Sequence, residues 1–206
     1  MKPTNIQTTL DSLEKNKFTV KFFENSQLAI EALLSTINVN ETIGFGGSQT
    51  LTALDLQTRF MERGNTIFCH HQQGLSAEQK MQIRRQQLLC DVFLTSSNAI
   101  TESGQLYNVD GTGQRVAAMI FGPKKVIVIA GVNKIVKDLN AARTRVCTIA
   151  SPLNNKRLSM PNPCVQTGYC VNCQLPSRIC NATTIIEKKP STSDIHVWII
   201  NESLGY

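Results

Sequence analysis

Two segments, CDVFLTS at 90–96 and KVIVIAGV at 125–132, constrain this chain more than any others. Each is apolar along a continuous run rather than at every second position, and each has the length of a strand rather than a helix. Such runs suit strands of a parallel sheet covered on both faces. Parallel neighbours need crossover connections, and helical patterns stand where crossovers are required. TTLDSLEKN and SQLAIEALLSTI read as helices, the second opened by Ser26 as N-cap. SQTLTALDLQTRFMER shows helical apolar spacing through Leu51, Leu54 and Leu56, with Gly64 as its C-terminal stop. Ser76 and Gln79 form a capping box for SAEQKMQIRRQQLL, and KDLNAARTRV is a further helix. FTVKFF, TIGFG, TIFC, TTIIEK and HVWIINES read as the remaining strands. The expected fold class is α/β, an open, mostly parallel sheet with helices on both faces. With 206 residues, 41% of them apolar, the expected organisation is a single domain over 1–206.

No run of about 20 apolar residues occurs, and MKPTNIQTTLDSLEKN lacks the apolar centre and cleavage site of a secretory signal, so a cytoplasmic protein without a membrane span is expected. The net charge of +6 is spread along the chain in pairs such as Arg84-Arg85, Lys124-Lys125 and Lys188-Lys189. Without aromatic interleaving or a clustered stripe, nucleic acid is not an expected partner.

TIGFGGSQTL, at 42–51, joins a strand to a helix through three glycines in four positions. Gly44, Gly46 and Gly47 can take positive φ or admit close backbone approach. Successive N–H groups and a following helix N-terminus then favour phosphate or carboxylate, with Ser48, Gln49 and Thr50 as further donors. The pattern is neither a dinucleotide fingerprint nor a P-loop, because Gln49 replaces the last glycine and no G-K-[ST] follows. A plain strand-to-helix turn remains the alternative.

Between the two apolar strands lies SSNAITESGQLYNVDGTGQRVAAMIF, dense in Asn, Asp, Thr and Gly. It divides into a turn at Glu102-Ser103-Gly104, an extended LYNV, a turn at Asp110-Gly111 and a helix from Val116 to Ile120. Polar strand ends of this kind mark the carboxyl edge of an open sheet, where such folds bind ligands. Glu102 and Asp110 are the candidate catalytic groups there, and Arg115 and Lys134 the candidate anion holders, with Asn98, Thr101 and Asn108 as further contacts. Asp110 has a competing reading, since Asp-Gly is a common hairpin dipeptide. Asn133 also flanks an apolar strand. His70 and His71, a pair following a strand, read first as loop histidines without a role, with metal ligands or a base as the alternative, and His196 reads as structural.

The seven cysteines divide by placement. Cys69, Cys90 and Cys147 are isolated, and Cys90 and Cys147 read as small buried apolar side chains. Cys164, Cys170, Cys173 and Cys180 fall within a loop, 161–182, punctuated by proline and glycine and spaced C-x5-C-x2-C-x6-C. Zinc usually takes two close pairs, and only Cys170 and Cys173 qualify. A 4Fe-4S cluster accepts looser spacing, and Lys156, Arg157 and Arg178 would offset its negative charge. Cluster, zinc and free thiols remain the three readings of this C-terminal cysteine-rich metal loop.

GFGGSQTL, the stretch DVFLTSSNAITESGQLYNVDGTGQRVAAMIFGPKKVIVIAGVNKIV, the cysteine loop PCVQTGYCVNCQLPSRICN and the closing NESLGY together resemble the LUD (lactate utilisation) domain family, in its cysteine-containing branch. The resemblance implies a fold similar to the ribose-5-phosphate isomerase, NagB and CoA-transferase superfamily, whose first glycine loop holds phosphate or the reactive end of a thioester. It implies 4Fe-4S binding at Cys164, Cys170, Cys173 and Cys180. It also implies a place beside iron-sulfur partner proteins in a system oxidising lactate, or a related 2-hydroxy acid, to pyruvate. The expected function is therefore an iron-sulfur component of such a system, possessing a site for a small anionic metabolite at Gly46 to Thr50. Two alternatives stand beside it. One is an isomerase or transferase acting on a sugar phosphate or acyl thioester, with Glu102 or Asp110 as base or nucleophile and a structural metal loop. The other is a non-catalytic ligand-binding subunit. A homo-oligomer is compatible with any of them.

Overall fold

The structure, a computed structural model, describes residues 6–206. Helix α1 (Ile6–Lys15) leads into β1 (Thr19–Phe23) and α2 (Ser26–Thr36). The N-cap of α2 is Asn25, whose side chain accepts from the Leu28 amide. Ser26, expected in that role, gives both its amide and its hydroxyl to the Glu202 carboxylate, at 2.7 and 2.6 Å. The chain continues through β2 (Ile43–Phe45), α3 (Gln49–Ala53), α4 (Leu56–Glu62) and β3 (Ile67–Phe68). The helix expected across 48–63 is thus two pieces. Leu54 closes the first, and Asp55 takes a left-handed conformation at φ 49°. Gly64, at φ +97°, ends the second as its sequence position indicated.

Helix α5 (Ala77–Gln86) has the expected capping box, and β4 (Val92–Thr95) follows it. Next come β5 (Ala99–Thr101), β6 (Leu106–Asp110), α6 (Gln114–Ile120) and β7 (Lys125–Gly131). A 3-10 turn at Val132–Lys134 precedes β8 (Ile135–Val136) and α7 (Leu139–Arg145). A π-helical turn, Val146–Ala150, joins α7 to α8 (Ser151–Arg157), so the helical stretch runs past the segment read from sequence. The cysteine loop contains the short α9 (Cys164–Thr167), and the chain then enters β9 (Ala182–Ile186) and β10 (Ile195–Ile200).

Six strands form one wholly parallel sheet in the order β1-β10-β7-β4-β2-β3. In β4, β7 and β10 the side chains alternate between two buried layers, as the unbroken apolar runs require. Leu94, Ile127, Ile129, Trp198 and Ile200 meet the helices carrying Leu33, Leu51 and Phe60. Phe93, Val126, Val128, Val197 and Ile199 meet Leu13 and Met119 on the opposite face. A smaller mixed sheet, ordered β8-β5-β6-β9, shares that second core through Ile100, Leu106 and Ile186. TTIIEK and HVWIINES are both strands, but in different sheets.

The strand order has one functional consequence. From β2 the chain proceeds outward to edge strand β3, returns to β4, and then leaves for β7 on the other side. Connections therefore diverge at the adjacent carboxyl ends of β2 and β4, which opens a crevice there.

At the opposite end of these strands Asp91 accepts the Thr42 amide at 2.9 Å and hydroxyl at 2.7 Å, and pairs with Lys124 at 2.7 Å. The Lys124 ammonium, then the Thr42 donors, hold the Asp91 carboxyl down at about 2. A carboxyl depressed on folding stabilises above its unfolded value of about 4 and loses that contribution as pH falls towards the folded value. Asp91→Ala should cost about 1–2 kcal/mol at neutral pH, less than a fully buried charged hydrogen bond because the group is partly solvated. Urea midpoints of the two proteins should then converge between about pH 4 and about pH 2.

Candidate functional site

A cavity of about 440 Å³ occupies the crevice at the carboxyl ends of β2 and β4. Gly47, Ser48 and Gln49 line it from the loop after β2, His70 and His71 from the loop after β3, and Ser96, Ser97 and Asn98 from the loop after β4. Lys134, Asn154, Arg157, Cys180 and Tyr206 close the remaining wall.

The glycines serve close approach rather than unusual dihedrals, since none of Gly44, Gly46 and Gly47 has a positive φ. A Cβ on Gly44 would meet Cys90 Sγ at 2.9 Å, one on Gly46 would meet Thr95 Oγ1 at 2.8 Å, and one on Gly47 would meet His71 Nε2 at 2.6 Å. Ser48 caps α3 by accepting the Leu51 amide, but that helix has only five residues, so its end is a weak source of dipole field. Gly46 and Thr50 lie behind the cavity rather than in its lining. Thr50, fully buried, donates to the Leu204 carbonyl and anchors the closing segment, which Asn133 holds from the other side. That anchoring carries Tyr206 into the wall, where its hydroxyl meets Asn154 and Arg157.

Arg115 is buried and its terminal nitrogens are engaged by protein. Nη1 donates to the Ser96 carbonyl and Asn108 Oδ1, and Nη2 donates to Asn98 Oδ1 and the Val109 carbonyl. It braces the loop after β4 against β6. Burial lowers its pKa, which Asp110 partly counters. The Asp110 carboxylate accepts the amides of Gly111, Arg115 and Val116, which makes it a cap for α6 rather than a hairpin residue. Glu102 and Thr101 fall outside the cavity lining, at the β5–β6 turn in the smaller sheet, where Thr101 bonds Ser103 and Gln105. The two carboxylates singled out from sequence are thus not brought together.

Lys134 is 3% exposed, and its Nζ donates to Ser96 Oγ at 3.1 Å. Burial, then the charges of Arg145 and Arg115, bring its pKa down to about 7. The rings of His70 and His71 lie against each other, tilted by 41°, with centroids 4.0 Å apart. Burial, His71 and Arg84 bring His70 down to about 4, and burial with Arg157, Arg84 and Lys80 lowers His71. The neutral histidines, Lys80, Arg84 and Arg157 belong to the cavity although the sequence reading gave none of them a place in it. Strand-end position after β3 was the available signal for the histidines. Five cationic side chains line the cavity, counting Lys134 and Arg115, against Asp110 as the one carboxylate among the described residues.

Cys180 also faces a second cavity of about 260 Å³, shared with Cys147, Cys170, Arg143 and Arg178. Cys147, read as isolated, lies on the π-helical turn. Its carbonyl accepts the Cys170 amide at 2.7 Å, and burial, then the neighbouring Cys170 thiol, raises its pKa. Burial and the neighbouring thiols of Cys180, Cys173 and Cys170 raise Cys164. Arg178 braces the loop by donating to the Cys173 and Cys180 carbonyls. Among the described residues no three His, Cys, Asp or Glu side chains converge tightly enough to hold a single metal ion. Cys90 is buried apart from this group, as read, and Cys69 is buried too, whereas Cys147, read as buried, is only partly so. No helix of the described residues is long and apolar enough to cross a membrane.

No protein with a curated description matches the chain. A solved structure described as a DUF162 family protein from Deinococcus radiodurans is similar over 95% of both chains, with a TM-score of 0.53 and 13% identity, which bears on the fold alone. The structure of eIF2B delta from Chaetomium thermophilum aligns more weakly, with a TM-score of 0.36 and 15% identity over 66% of this chain and 54% of that one, and carries no argument. The LUD domain profile matches residues 6–200, from the first helix to the end of β10, and the chain therefore belongs to the LUD (lactate utilisation) domain family.

Proposed function

We propose that this LUD-family chain binds a small anionic metabolite in the cavity at the β2/β4 crevice, as a component of a 2-hydroxy acid oxidation system carrying an iron-sulfur cluster beside that cavity. The carrying observation is electrostatic: Lys80, Arg84, Arg115 and Arg157, with Lys134 titrating near neutrality, stand against one amide-capped carboxylate around about 440 Å³. In a site with restricted water, that excess attracts carboxylate or phosphate strongly. Arg84, Lys80 and Arg157 are the ligand-facing charges, because Arg115 is committed to its brace. The alternative with Glu102 or Asp110 as general base has no geometric support, since one lies outside the cavity lining and the other caps a helix.

The cysteine group supports the cluster reading by its chemistry and by its surroundings. Four loop thiols influence one another electrostatically, and Arg178 lies against Cys180 to offset thiolate charge. Only Cys170 and Cys173 are spaced as a zinc knuckle, and a multi-iron cluster accepts the looser sequence spacing of the four. Cys164, Cys170, Cys173 and Cys180 would hold the cluster, which would supply one-electron redox capacity. Cys180, lining both cavities, would bring that capacity to the ligand, and an iron-sulfur partner protein would take up the electrons.

Calorimetry with inorganic phosphate and with lactate tests the anion site. The double variant Arg84→Gln, Arg157→Gln should weaken binding about tenfold, roughly 1.4 kcal/mol. Equal affinity in wild type and variant would remove the electrostatic basis of the reading. Iron and sulfide analysis of anaerobically purified protein tests the cluster. Four irons per chain are expected for a 4Fe-4S group, with absorbance in the region of about 400 nm, both lost in Cys173→Ser. Protein that holds neither iron nor sulfide refutes it.

A further inference from the structure

Among the described residues, Lys134 is the buried cation of the cavity with the lightest commitment to protein, a single hydrogen bond to Ser96 Oγ. Arg115 and Arg145 bond backbone carbonyls and asparagine oxygens through two or more nitrogens each. Lys134 Nζ donates to Ser96 Oγ, and the other charges acting on it are the guanidiniums of Arg145 and Arg115. A lysine kept for binding a permanent anion is ordinarily solvated or paired with a carboxylate. One desolvated beside other cations loses its proton near neutrality and becomes a nucleophile.

We propose that Lys134 is a catalytic amine that captures the carbonyl group of an anionic carbonyl compound as a Schiff base within the cavity. This rests on the reading of the cavity as the anion site. The neutral Nζ attacks the carbonyl carbon, and the C=O π pair moves to oxygen. A proton passes from nitrogen to that oxygen, giving a carbinolamine. Loss of the hydroxyl as water leaves the imine, so amine and carbonyl yield imine and water with no oxidant or reductant required. Ser96 Oγ, 3.1 Å from Nζ, aims the amine, and Arg84 and Arg157 hold the anionic end of the ligand. A carboxylate next to the carbonyl makes the ligand a 2-oxo acid, and a phosphate makes it a phosphorylated ketone.

The test is reductive trapping with cyanoborohydride on the whole chain, with pyruvate in one arm and dihydroxyacetone phosphate in the other, followed by peptide mass mapping. A reduced adduct on the Lys134 peptide is expected with one probe, approaching one per chain, with the remaining lysines labelled at least about tenfold less. Trapping should accelerate from about pH 6 to about pH 8 as the amine deprotonates, and inorganic phosphate should suppress it. Because the adduct is mapped on the wild-type chain, the result does not depend on a variant that folds poorly. Lys134→Arg serves as the control that must abolish it. If calorimetry shows either probe bound while Lys134 stays unlabelled, the amine role falls and the anion site stands. If neither probe binds or labels, both fall.

Discussion

The buried guanidinium of Arg115 ties together the parts of this molecule that make the cavity. Its bonds to Ser96 and Asn98 hold the loop after β4 of the parallel sheet, and those to Asn108 and Val109 hold β6 of the smaller sheet. A desolvated guanidinium is tolerable when its donors meet acceptors, as both terminal nitrogens of Arg115 do, and removing it strands those acceptors in turn. Gly46 contributes by having no side chain, since a Cβ there would press on Thr95 Oγ1 and approach Arg115 Cγ at 3.3 Å. The glycine loop therefore makes room for the brace as much as for any ligand. A second buried arginine, Arg145, extends the same scheme by bonding the carbonyls of Asn98 and Asn133.

Concentrating buried cations around one crevice carries an electrostatic cost that surface charge does not. The chain meets it in two ways. Arginine charge is spread over backbone carbonyls and asparagine oxygens, while lysine and histidine charge is relinquished, as the pKa values of about 7 for Lys134 and about 4 for His70 express. The result is a cavity lined by fixed arginine charge, by an amine that titrates near neutrality and by a pair of imidazoles whose protonation is disfavoured. The cysteine group abuts it, with Cys180 on both cavities and Arg157 and Tyr206 drawn in by the closing segment.

Much of this was legible from residue order. Buried runs such as VFLT and KVIVIAG announced central parallel strands because a two-sided apolar environment accepts no alternation of polarity. Ser76 and Gln79 announced a helix start, and the polar strand ends pointed to the carboxyl edge. Local reading failed where a distant partner outcompeted a near one. Ser26 left its capping position to Asn25 because Glu202, 176 positions away, offered both its amide and hydroxyl a carboxylate. Asp110 looked like a hairpin residue and is a helix cap, since the hairpin partner β9 joins β6 from beyond the cysteine loop.

The sequence by itself determined the family, the alternation of strands and helices, the edge at which polar residues collect and the segment holding four of the cysteines, because each depends on neighbours within a few positions. Tertiary structure alone decided which charges stay charged and what they are for. Arg115 became a brace, Lys134 an amine stripped of water, and Cys147 a neighbour of Cys170. Protonation and hydrogen-bond commitment depend on burial and on groups brought from remote parts of the chain, and no pattern of adjacent residues encodes those distances.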